Sequence, residues 1–131
     1  MDSIKWQYTH GINENNNNQL LLNRIAPETY YLDYSLIQQN KGNKQIQLDL
    51  FLNYKTNVKL YPKFQQYFRD YKPKLLAIWG KYDPFFIPSG AEAFQKDNPN
   101  VTVQFLETGH FALETHVNEI AAAINNVLGE R

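Results

Sequence analysis

The sequence contains no cysteine in 131 residues. That excludes a disulfide scaffold, a cysteine-based zinc finger and a thiol nucleophile, and it fits a reducing compartment. An excess of either charge is also missing, since Lys and Arg total 13 and Asp and Glu total 13. A nucleic-acid binder carries a basic surplus, so a balanced chain with a pI near 6.8 argues against that class. No basic run marks a membrane-surface patch, and no uninterrupted apolar run is long enough to cross a bilayer. The stretch from Met1 to His10 has no apolar core behind basic residues and does not read as a secretory signal. Cytoplasm is therefore the expected location. Glu114 and His116 sit near His110, but no His-Glu-x-x-His spacing occurs, so neither a metal nor another cofactor is expected.

What the chain does have is aromatic apolar material, with 9 Tyr and 8 Phe. Tyr is apolar along its ring and polar at its tip, which suits clefts and interfaces. A chain of this length that folds alone buries roughly two-thirds of its unfolded surface. Residues 1–72 read as helical, aromatic and loop-rich. Asn13 and Asn15 to Asn18 form a low-complexity tract without apolar period, expected as a flexible loop. Before it, Trp6 and Tyr8 are placed to pack one face of a short helix or extended segment. After it, Leu20 to Ile25 makes one or two helical turns. Pro27 stands near a helix start, and Thr29 to Gln39 carries Tyr30, Tyr31, Tyr34, Leu36 and Ile37 at positions that favour a helix over a strand. Lys44 to Tyr71 reads as a longer helix that breaks or restarts at Pro62.

Pro73 opens a different regime. Leu75 to Trp79 is a continuous apolar run between Pro and Gly, the pattern of a strand buried on both faces. A loop over Gly80–Pro88, a short helix over Ser89–Asp97 and a second strand over Val101–Leu106 follow. Next come the loop Thr108-Gly109-His110-Phe111 and an amphipathic helix with Val117, Ile120, Ala121, Ile124, Val127 and Leu128 on one stripe, stopping at Gly129. Strands alternating with helices indicate an α/β fold with a parallel sheet. In such folds functional residues sit in the loops beyond the strands' carboxyl ends. Those loops carry Asp83 and His110, 27 residues apart and one strand–helix–strand unit from each other. Adjacent parallel strands set the two loops side by side, so the carboxylate can accept a hydrogen bond from the imidazole, hold its tautomer and stabilise its charged form.

The stretch from Lys74 through Trp79-Gly80-Lys81-Tyr82-Asp83-Pro84 to Pro88 resembles the acid-bearing strand and loop of the α/β-hydrolases, in the branch around haloalkane dehalogenases and epoxide hydrolases. Leu106-Glu107-Thr108-Gly109-His110-Phe111-Ala112-Leu113-Glu114 resembles that family's histidine loop, and the order acid then histidine is the family's. Residues 73–131 thus look like a C-terminal α/β core segment. Residues 1–72, with Trp6-Gln7-Tyr8, Tyr30 and Ile46-Gln47-Leu48-Asp49-Leu50-Phe51, look like a helical cap and its return to the core. The departure is large. No Gly-x-Ser-x-Gly or Asp-bearing elbow occurs, and the oxyanion loop and most of the sheet are missing. The expectation is a partial α/β-hydrolase fold whose Asp83 and His110 act only when an N-terminal half supplies the nucleophile.

The resemblance implies two-step hydrolysis of a small ester, epoxide or haloalkane, with Asp or Ser attacking and His110 activating water. The isolated chain is expected to be inactive. Tyr30, Tyr31 and Tyr34 are candidates for a cap acid by region, although packing is the favoured role of that helix. Phe85, Phe86 and Phe111 are candidates to line a substrate pocket or to form ordinary core at the top of the sheet, and the two roles are not exclusive. His10 reads as a surface residue without a partner. Two strands with no further sheet leave open edges. The expected partners are therefore a small-molecule substrate in the completed enzyme and an N-terminal hydrolase half or a second copy. The alternatives are a non-catalytic remnant acting as an interaction protein and a truncated gene product with no stable fold.

Overall fold

The computed structural model describes residues 1–12 and 19–129. The Asn-rich tract and Arg131 lie outside the described residues. Helices α1 (Asp2–Thr9), α2 (Gln19–Leu22), α3 (Pro27–Gln39), α4 (Asn43–Asn53), α5 (Lys55–Val58) and α6 (Tyr61–Tyr71) precede strand β1 (Leu75–Gly80). Helix α7 (Pro88–Ala93), a 3-10 turn (Phe94–Lys96), strand β2 (Val101–Leu106) and helix α8 (Ala112–Gly129) complete the order. The architecture is a partial α/β fold: β1 and β2 pair in parallel with Leu75 opposite Val101 and Gly80 opposite Leu106.

Pro27 opens α3, where its missing N–H costs nothing because the first helical amides lack partners anyway. Pro62 behaves the same way. The expected long helix over Lys44–Tyr71 is three helices, with breaks at Tyr54 and at Lys59–Leu60, and Pro62 sits inside the first turn of α6 rather than at the break. Lys72 ends α6 in the left-handed conformation (φ 45°). The chain then turns into β1.

The apolar core sits among the N-terminal helices. Tyr8, Ile12, Leu21, Ile25 and Tyr30 are buried together, with Met1, Ile4, Leu22 and Phe111 packed against them. Phe111 belongs to the loop after β2, so the helical segment and the histidine loop share one core. Trp6 and Tyr8 do not share a face of α1: Tyr8 is buried in this cluster, whereas Trp6 is exposed. Two residues are about 200° of helix apart.

Two expectations are corrected. Strand β1 is not buried on both faces. Only Ala77 and Gly80 are buried among its described residues, because β2 is its single neighbouring strand. The apolar stripe of α8 is also only partly covered: Ile120 is buried, while Val117 and Ile124 are exposed. That helix begins earlier than its stripe implies, at Ala112, and departs from helical dihedrals at His116 (φ −131°, ψ 36°).

One buried amide braces the base of the sheet. Asn98, just after the 3-10 turn, has no exposed surface. Its Nδ2 donates to Pro73 O at 2.8 Å and its Oδ1 accepts from Asn100 N at 3.0 Å. The starts of β1 and β2 are thereby tied through a single side chain.

Candidate functional site

The β1–β2 ladder continues past the strand ends into both loops. Lys81 N donates to Leu106 O at 2.9 Å, and Tyr82 N donates to Thr108 O at 3.0 Å. This fixes the two loops at one height. Asp83 N then turns back to Gly80 O at 3.2 Å, which aims the carboxyl group across at the neighbouring loop. Lys81 and Tyr82 also reach over with their side chains, each to one oxygen of Glu107 at 2.5 Å. Glu107 is held below the ordinary carboxylate range, first by the Lys81 hydrogen bond.

Asp83 is buried and both of its oxygens are engaged. Oδ1 accepts the backbone amides of Phe85 at 2.8 Å and Phe86 at 3.0 Å, a local turn that fixes the carboxyl plane. Oδ2 lies 2.9 Å from Nδ1 of His110. With Oδ2 accepting the Nδ1–H, the hydrogen-bond pattern assigns the tautomer that leaves Nε2 as the basic nitrogen. Three phenyl rings flank the imidazole, with centroids at 4.8 Å for Phe111, 5.0 Å for Phe85 and 5.4 Å for Phe86. They cover part of the ring, and a less polar surround strengthens its hydrogen bond to Asp83.

Glycine at three positions lets three backbones meet beside this pair. A Cβ on Gly80 would strike Gly109 O, and a Cβ on Gly109 would strike His10 O. Gly11 has φ 80° and lies against Tyr82 O, a conformation glycine adopts without steric cost. Gly109 lets the chain turn just before His110. Its larger role is to let the His10–Gly11 backbone lie against the histidine loop. His10 itself is not a partnerless surface residue: its ring stacks on Trp6 at 4.2 Å, and Trp6 in turn meets Phe85 at 5.6 Å.

The aromatic candidates separate into distinct places. Phe85 and Phe86 wall an apolar cleft of about 830 Å³ that also runs along Tyr54, Tyr61, Phe64, Phe68 and Trp79. Asp83 and His110 do not line it. Phe111 turns the other way and stacks on Tyr8 at 4.1 Å. Tyr30 is buried in the core with its ring 6.0 Å from that of Tyr8. Tyr31 is exposed and Tyr34 half-buried, and neither lines the cleft. The sequence marks Tyr8 for packing but not its polar tip, whose hydroxyl donates to Asp33 Oδ2 at 2.6 Å. Burial first, and then the Asp33 hydrogen bond, push that phenol well above its ordinary range. Tyr8 and Asp33 are 25 residues apart with no motif between them, so no local signal marks the pair. Among the described residues, no three His, Asp or Glu side chains converge as metal ligands.

The alpha/beta hydrolase fold family model matches residues 7–117. An uncharacterized hydrolase of Saccharomyces cerevisiae is 48% identical over 106 residues, which covers 81% of this chain and 36% of that protein. The chain thus spans about a third of the length of this curated relative. No solved structure matches the chain. The family match covers both loops of the Asp83–His110 pair and most of the helical segment before them, and the chain belongs to the alpha/beta hydrolase fold family.

Proposed function

We propose that this chain supplies the acid–histidine half of a hydrolase, and that an N-terminal half carrying the nucleophile completes it. The observation that carries the reading is the buried Asp83, locked by two backbone amides and paired with His110 at 2.9 Å. A carboxylate oriented so firmly on an imidazole holds the tautomer whose Nε2 takes a proton, and it stabilises the imidazolium that results. In this reading residues 1–72 form the cap-like segment and residues 73–131 the core segment.

The chemistry assigned is that of the haloalkane dehalogenase and epoxide hydrolase branch, with a small ester, epoxide or haloalkane as substrate. With an Asp nucleophile, a carboxylate oxygen attacks the substrate carbon and displaces halide or opens the epoxide. The freed epoxide oxygen takes a proton from an acid, for which Tyr30, Tyr31 and Tyr34 are candidates by region. His110 Nε2 then removes a proton from water, and the hydroxide cleaves the ester to release the alcohol. With a Ser nucleophile the same nitrogen takes the hydroxyl proton and passes it to the departing alcohol as the acyl ester forms; water then resolves that ester to the carboxylic acid and free Ser. The residue at the elbow decides between the two.

The test is co-expression with an N-terminal α/β-hydrolase half that contains a nucleophile elbow. Expected is hydrolysis by the reconstituted pair, abolished in His110→Ala, and none by the 131-residue chain alone. Absence of turnover from a stable reconstituted pair counts against the catalytic reading. Turnover by the isolated chain that disappears in His110→Ala refutes the need for a second half.

A second reading, a non-catalytic remnant that binds another subunit, draws on a different observation. Leu48, Leu50, Phe51, Leu52 and Val58 on α4 and α5 are all exposed. Large apolar side chains exposed together along one segment are a mark of an interaction site. A monodisperse monomer that neither self-associates nor binds a hydrolase half sinks this alternative.

A further inference from the structure

Gly109 leaves His110 without a local anchor, because glycine restricts its own dihedral angles less than any other residue. Beside the ring's own contacts with Asp83 and the phenyl rings, the position of the imidazole is then set by what flanks Gly109. On the far side the first turn of α8 begins at once, with Glu114 N donating to Phe111 O at 3.0 Å. On the near side stands Thr108, which is wholly buried. Thr108 holds in two directions. Its carbonyl accepts from Tyr82 N, the residue before Asp83, at 3.0 Å. Its hydroxyl lies 2.8 Å from the hydroxyl of Thr115.

The Thr108–Thr115 contact closes the chain around Gly109, His110 and Phe111 like a staple. Thr115 is itself 2 % exposed. Its single hydroxyl hydrogen has three acceptors within reach: Thr108 Oγ1 at 2.8 Å, His116 Nδ1 at 2.8 Å and Ala112 O at 3.3 Å. Both short contacts are satisfied only if Thr108 or the His116 ring supplies a second hydrogen. The arrangement is therefore a chain of hydroxyls and imidazole rather than one isolated bond.

The helical segment holds the staple from outside. Arg24, just beyond α2, donates from Nη1 to the carbonyl of Thr115 at 2.6 Å. The contact spans 91 residues and lands where α8 leaves helical geometry at His116. The same Nη1 stands 4.0 Å from Glu119 Oε1 on the next turn. One guanidinium thus joins residues 1–72 to the turn that carries Thr115.

We propose that Thr115, anchored by Arg24, is a positioning residue for His110: its hydroxyl pair with Thr108 sets the imidazole against Asp83 and couples that pair to the helical segment. The proposal rests on the acid–histidine reading above, but it concerns geometry in this chain alone. Neither Thr115 nor Arg24 meets the reacting atoms.

The test uses the 131-residue chain with ¹⁵N-labelled histidine. The two ring nitrogens of His110 are followed by long-range ¹H–¹⁵N correlation at a pH where the ring is neutral. A fixed Nδ1–H tautomer gives two widely split ¹⁵N shifts, and a mixture of tautomers brings them together. The wild type is expected to show the split pair. Thr115→Val and Arg24→Gln are expected to lose much of the splitting, and Thr115→Ser to retain it. A role limited to stability lowers the melting temperature and leaves the split shifts in place; that result in both Thr115→Val and Arg24→Gln overturns the proposal. If Thr115→Val does not fold, Arg24→Gln decides, since that side chain is half exposed. A wild-type His110 without split shifts overturns the proposal outright. No turnover is read, so an inactive reconstituted enzyme defeats the catalytic reading and leaves this one standing.

Discussion

The loops after β1 and β2 and the helices α4 to α6 are built to opposite rules. In the loops almost every polar group has a named partner. Asp83 uses both oxygens, Thr108 uses its hydroxyl and its carbonyl, and no buried side-chain polar atom among the described residues lacks a hydrogen bond. In α4 to α6 polar side chains alternate with large apolar and aromatic ones, and many of the apolar ones face outward, with Phe51 exposed by 77 % and Leu52 by 67 %. The loops owe their geometry to contacts made within the chain. The helices present a face whose burial requires something else against it. A site can thus be complete in its hydrogen bonding while the body that carries it is not complete in its packing.

The sharpest way to break this comparison is at Asp83. In a reconstituted hydrolase, Asp83→Asn removes the charge that stabilises imidazolium and supplies an amide that favours the wrong tautomer. Turnover is expected to fall by roughly 10²–10⁴-fold, read as kcat at saturating substrate, with little change in secondary structure by circular dichroism. A loss of less than tenfold would separate the geometry of the pair from any chemical role.

At the base of the same sheet, Asn98→Ala removes the partner of Pro73 O and of Asn100 N and empties the space of a fully buried amide. The expected cost is about 1–3 kcal/mol, measured by urea unfolding. A smaller effect follows from acid. His116 has its pKa lowered, chiefly by burial, with Arg24 adding to that and Glu119 opposing it. The unfolded chain therefore takes up this proton more readily than the folded one. The stability linked to His116 is present above its ordinary value near 6.5 and drains away as pH falls through the lowered value. His116→Gln is expected to flatten the pH dependence of the melting temperature in that window, and an unchanged slope would place the acid sensitivity elsewhere.

The least effect on stability is expected on the helices. Phe51→Gln should change the unfolding free energy of the chain by no more than about 0.5 kcal/mol, because an exposed ring has little contact to lose. It should nevertheless weaken self-association or capture of a second half, measured by sedimentation velocity. A large loss of stability would show that the α4 face is already covered in solution.

Much of the site was legible from local sequence. The apolar run Leu75–Trp79, the Val101–Leu106 strand and the loops that end in Asp83 and His110 all follow from pattern and from the parallel arrangement. That arrangement alone puts the two loops together. What misled was the assumption that an apolar run means two covered faces, since β1 is only half-buried with one neighbouring strand. The break at His116 was equally hidden, because the apolar spacing from Val117 onward continues a helix without showing where its first turn departs.

The sequence by itself determined the element types, the parallel pairing and the placement of an acid and a histidine on adjacent strand ends, because each depends on residues close along the chain. Only the tertiary structure decided the rest. Gly80 is required by the close approach of the Gly109 backbone and Gly109 by that of His10, Tyr8 is committed to Asp33, and Arg24 reaches Thr115 across 91 residues. These partners share no spacing or period. Their meeting is set by how helices, loops and sheet pack, and that packing energy is not written in any one segment.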